Sequence, residues 1–96
     1  MTSTEIIVKL REELPVMRQR FGVDAIGLFG SYARNEQKDN SDIDVLVKFR
    51  QPELRALVGL LDFLESLFSR KVDIVTDGKQ LSERFRRMVK SEIIYA

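Results

Sequence analysis

Residues 43–49, Ile-Asp-Val-Leu-Val-Lys-Phe, place bulky apolar side chains at positions 43, 45, 47 and 49. That alternation is the period of a β-strand with one face in a core. Two further short apolar runs, Ala-Ile-Gly-Leu-Phe at 25–29 and Val-Asp-Ile-Val-Thr at 72–76, also read as strands. Around them the pattern changes to a helical one. Ile6, Ile7, Leu10, Leu14 and Met17, followed by Phe21, recur every three to four residues across 4–20. Thr2, Ser3 or Thr4 could cap that helix with Glu5 in its first turn, Pro15 should kink it or open a second piece, and Gly22 should end it. A second helix is expected from about Glu53 to Phe68, opened by Pro52. A last one starts near Leu81, with Phe85, Met88, Val89 and Ile93 inward and Arg84, Arg86, Arg87 and Lys90 outward. Asn35 to Ser41 is wholly polar and reads as an exposed loop. The expected architecture is α/β: one domain over residues 1–96, with a small mixed sheet of three or more strands and helices packed largely on one side.

Composition narrows the chemistry. A chain of 96 residues buries a modest fraction of its surface and is marginally stable alone, so partner binding is expected. Its 44% hydrophobic and 32% charged residues fit a folded protein. Asp62, Glu65 and Arg70 interrupt the longest apolar runs, leaving no segment able to span a membrane. The opening MTSTEIIVKL lacks the pattern of a secretory signal, and a cytoplasmic protein is expected. Cysteine and histidine are both absent, which excludes disulfides, thiolate metal sites, imidazole acid–base pairs and Ser-His-Asp triads. What remains is carboxylates, hydroxyls, Lys, Arg and bound metal. Carboxylate oxygens favour hard cations, so magnesium, or alternatively manganese, is the natural ion. The formal net charge of +1 provides no global drive towards nucleic acid.

Three carboxylates stand out against this background. Asp42 and Asp44, two residues apart at a strand entrance, face the same way, and like charges so placed repel unless a cation lies between them. Asp73 sits between Val72 and Ile74 in another apolar strand. If the two strands are neighbours it can join the pair, and three such groups could hold two metal ions about 4 Å apart, as phosphoryl transfer requires. Each feature has a plainer reading, a cap or turn for Asp-x-Asp and a strand-edge charge for Asp73. Upstream, a strand runs into Gly30-Ser31 and then a helical turn. Such a turn can aim backbone N–H groups at an anion, with the Ser31 hydroxyl donating and Arg34 adding a charge-assisted bond. It is equally readable as a simple strand-to-helix turn with Ser as the cap.

The order of these features resembles the signature of the nucleotidyltransferase superfamily, the group that includes DNA polymerase beta. The resemblance rests on Gly30-Ser31-Tyr32-Ala33-Arg34 followed by Ser41-Asp42-Ile43-Asp44-Val45-Leu46-Val47. The short chain, LFGSYAR, KVDIVT and the tail RRMVKSEIIYA are similar to its minimal, MNT-type branch. One departure is Asn35, where the family often has Gly; Asn tolerates the left-handed conformation Gly supplies. The resemblance implies the nucleotidyltransferase fold, Gly30 and Ser31 binding the triphosphate of ATP, to which the turn adds Arg34, and Asp42, Asp44 and Asp73 as catalytic residues ligating magnesium. Asp73 would be the general base for an attacking hydroxyl.

The same resemblance implies a partner. MNT-type proteins are typically paired with a HEPN-type toxin, and the implied activity is transfer of AMP from ATP to a tyrosine of that toxin. The alternative is an inactive antitoxin that neutralises its partner by binding alone. The apolar stripe along 54–68 is either core or in part a docking surface. Direct nucleic-acid binding through Arg84, Arg86, Arg87 and Lys90 is not expected, because that row lacks aromatic stacking partners.

Overall fold

The computed structural model describes residues 1–96 and contains four helices and four strands in one mixed sheet. Helix α1 spans Ser3–Phe21. Of the candidate caps, Thr2 does the work: its Oγ1 accepts from the Glu5 N–H at 3.2 Å, and Glu5 Oε1 accepts from the Thr2 N–H at 2.9 Å. Gly22 ends the helix in the left-handed conformation, φ 69°, donating to the Arg18 carbonyl. Pro15 does not divide α1, which runs through it as one element. Leu10 before it and Met17 after it are fully buried, and that packing offsets the missing N–H donor.

Strand β1 is Val23–Phe29, two residues longer at its start than the apolar run suggested. Helix α2, Gly30–Ala33, is a single turn, and β2 is Ile43–Phe49. Helix α3, Leu54–Phe68, then crosses to β3, Val72–Thr76. Helix α4 is Glu83–Lys90, capped by the Ser82 hydroxyl, and β4 is Ile94–Tyr95. The sheet order is β3-β2-β1-β4. β2 and β3 run parallel, which requires the α3 crossover, and the β1–β2 and β1–β4 pairs are antiparallel.

Alternation along β2 divides the fold. Ile43, Val45, Val47 and Phe49 face the main core, where they meet Ile6, Leu10 and Met17 of α1 and Leu60, Leu64 and Phe68 of α3. Leu46 points the other way, into a smaller cluster with Phe29 and Val89 under α4. Phe85 of α4 meets Phe29 edge-on, 5.8 Å between centroids. The two long helices thus share one face, while α4 covers only part of the other.

Two positions of α4 differ from their expected orientation. Met88 faces out, 54% exposed, because an eight-residue helix over half a sheet face buries only a narrow stripe. Arg86 turns back instead of outward: its Nη1 reaches Asp77 Oδ1 at 2.8 Å and its Nη2 the Gly78 carbonyl at 3.1 Å. The polar loop also has a half-buried member, Gln37, whose amide donates to the Met1 carbonyl at 2.9 Å. No helix is long and apolar enough to cross a membrane.

Candidate active site

The open part of the second sheet face carries the acidic residues. Asp44 shares its side of β2 with Leu46, and in the parallel pairing its Cα partner on β3 is Asp73. Its antiparallel partner on β1 is Phe29, the residue immediately before the Gly30 turn. Adjacent strands lie about 4.8 Å apart, so Asp44 is flanked closely by Asp73 on one side and the turn on the other. Asp42 precedes β2 by one residue, exposed at the strand entrance. The expected neighbourhood of β2 and β3 is therefore present, and it puts Asp44 and Asp73 in register.

Electrostatics at Asp44 reflect that crowding. Its carboxyl is raised from 3.8 to about 6, first by desolvation and then by the charges of Asp73 and Asp42. Arg34 opposes this by favouring the ionised form. Asp44 is thus a partly desolvated carboxylate with two like neighbours, a setting that a bound cation relieves. No three acidic side chains close into a metal-ligand cluster. Asp42 and Asp73 are exposed, so their side chains are free to turn. In donor type and in register the residues fit a hard divalent cation.

Gly30 shows why that position excludes a side chain. Its φ is +78°, and a β-carbon there would collide with the carboxylate of Asp44. The turn that follows is anchored by Tyr32, 1% exposed, with Ser31 half-buried beside it. Asn35 adopts φ 56°, the left-handed conformation its residue type allows. The glycine departure is accommodated.

The Gly30 N–H, expected to face a phosphate, already has an anion. It donates to Glu92 Oε2 at 2.5 Å, and Arg34 Nη1 donates to the same oxygen at 2.9 Å. Arg34 Nε also reaches Glu36 Oε2 at 3.2 Å. The structure therefore brings Gly30, Arg34, Asp44 and Asp73 together, with Asp42 at the rim and Ser31 one residue along. Glu92 was missed. A single acidic residue between Lys90-Ser91 and Ile93-Ile94 has no spacing that marks it, and only the folding back of β4 carries it to the turn. Beside Asp42, a polar cleft of about 510 Å³ lies between residues 39–42 and 69–71, with Arg70 and Lys71 on its far wall.

Comparison with known proteins agrees with this fold. The family model for the nucleotidyltransferase domain matches residues 9–96. The protein adenylyltransferase MntA of Thermococcus cleftensis is 38% identical over 96 residues, covering 99% of this chain and 96% of that one. A solved structure of a proposed minimal nucleotidyltransferase superposes with a TM-score of 0.80 at 34% identity, covering 98% of this chain and 95% of the other. A chain from a complex of tri-AMPylated Shewanella oneidensis HEPN toxin with MNT antitoxin superposes at 0.58, with 26% identity, 97% of this chain and 66% of that one.

Proposed function

The chain belongs to the nucleotidyltransferase domain family, and from that premise we propose that it transfers AMP from magnesium-ATP to a tyrosine hydroxyl of a HEPN-type toxin, acting as its antitoxin. The observation that carries the reading is the placement of Asp44 between Asp73 and the Gly30 turn, which sets acidic side chains beside a tight glycine turn. The naming of the MntA relative as a protein adenylyltransferase, and the tri-AMPylated HEPN toxin beside an MNT antitoxin, support the acceptor.

In this reading Ser31 and Arg34 hold the triphosphate, with Gly30 allowing its close approach. Asp42, Asp44 and Asp73 would hold magnesium, which when bound neutralises charge on the phosphate oxygens and orients the displacement. Asp73, exposed at the edge strand, accepts the proton of the acceptor hydroxyl. That oxygen bonds to the α-phosphorus, the bond from the α-phosphorus to the bridging oxygen breaks, and pyrophosphate leaves. No other general base is needed, consistent with a chain that has no histidine.

A second reading, neutralisation by binding alone, draws on the exposed Leu54 and Val58 of α3, which could serve as a docking surface. One experiment separates the two. The protein encoded beside this chain is incubated with it and magnesium-ATP, and its intact mass is measured. A gain of one or more AMP masses, lost with the Asp42→Ala/Asp44→Ala variant, is the expected result. A stable complex with no mass gain would replace the enzyme with a binding antitoxin.

A further inference from the structure

The segment after α4 reaches back across the sheet to the Gly30 turn, and Glu92 is its point of contact. The backbone there is fixed from both sides. The N–H groups of Glu92 and Ile93 donate to the Val89 carbonyl at 3.0 and 2.9 Å, Val89 is buried, and Ile94 pairs with Leu28 on β1. The Glu92 side chain is only 16% exposed. Its Oε2 accepts from both the Gly30 N–H and Arg34 Nη1. Glu36 takes the Nε of the same guanidinium. A guanidinium carries five N–H donors in a rigid plane, and two carboxylates here fix that plane while Nη2 has no partner in the chain.

We propose that Glu92 is a positioning residue for nucleotide binding, holding the Arg34 guanidinium and the Gly30 amide so that the unclaimed edge of Arg34 meets the triphosphate. This rests on the reading of Gly30, Ser31 and Arg34 as the triphosphate residues. Two consequences of losing Glu92 make its role physical. Arg34 is 43% exposed, and without the carboxylate its long side chain must be ordered anew each time nucleotide binds. Released, it is also drawn to the remaining anions. The Asp44 carboxylate lies against Gly30, on the same turn that Arg34 shares through Glu92, so a freed guanidinium would pair with Asp44 and occupy the oxygens meant for metal. Glu92 keeps the cation on the phosphate side of the turn. Its rigid seat between α4 and β4 suits a fixed brace.

The test is calorimetric titration with magnesium and a non-hydrolysable ATP analogue. Glu92→Gln keeps the size of the side chain and an acceptor for Gly30 while removing the charge that holds Arg34. Its dissociation constant should rise about tenfold, the scale of one charge-assisted contact. Arg34→Ala should weaken binding at least as much, and the double variant should bind no worse than Arg34→Ala alone, because the carboxylate acts through the guanidinium. Glu92→Gln binding as well as the unchanged protein, or more tightly, would overturn the proposal, the second result meaning that the carboxylate competes with phosphate. A loss that adds in full to that of Arg34→Ala would overturn it too. If Glu92→Gln does not fold, Arg34→Lys tests the link from the other end. It keeps the charge and loses the fork, so unchanged affinity there would be decisive against the brace. An unchanged protein that binds no nucleotide at all would instead remove the reading of the site on which the proposal rests.

Discussion

Asp44 carries the clearest conflict between stability and use. Its folded-state carboxyl titrates near 6 against 3.8 in a free side chain, so between those values the folded protein holds a proton that the unfolded chain releases. The contribution of this residue to stability therefore falls as pH rises from about 4 to about 6. In metal-free protein, Asp44→Asn should raise the unfolding midpoint at neutral pH by a few degrees, about 1 kcal/mol or less once solvent screening of a half-exposed group is allowed for. The gain should shrink towards pH 4, and a pH series of thermal melts of both proteins measures it. A gain that did not depend on pH would mean that ionisation of this partly desolvated carboxyl is not the cause. The pairing of Asp44 with Asp73 was open to the sequence because strands alternate strictly and an acid inside an apolar run is conspicuous. Glu92 was not, since its part depends on β4 returning beside β1, which no local pattern records.

Among the elements, β2 and β3 have the bounds their apolar runs indicate, and Thr2 and Gly22 end α1 as their residue types favour. Local chemistry sufficed for these. It did not for β4, a two-residue strand whose existence depends on its partner, nor for Pro15, where tertiary packing overrides a local breaker. The stripe of α3 is core only in part. Leu60, Leu64 and Phe68 are core, whereas Leu54 and Val58, one turn apart, are 75% and 58% exposed. Leu64→Ala should then cost about 2–5 kcal/mol and Val58→Ser no more than about 0.5 kcal/mol, as read by denaturant melts. Equal losses would place Val58 in the core as well.

For the molecule as a whole, β2 joins the two apolar clusters, since Val45 and Val47 enter one and Leu46 the other. Loss of β2 would disrupt both clusters at once. Unfolding should therefore be one transition, with coincident near- and far-ultraviolet signals and an enthalpy near 65 kcal/mol for a chain of 96 residues at about 0.7 kcal/mol each. A separate early loss of the α4 cluster would show that the second face folds independently. Because β2 divides its residues between hydrocarbon and the acidic face by parity alone, that strand tolerates substitution far better than a change of length. Gain or loss of one codon within Ile43–Phe49 would turn the carboxylate of Asp44 into the interior and a valine into water. Length variation among descendants of this gene should accordingly gather in the 35–41 loop, with the reading of β2 kept to the residue while its letters drift.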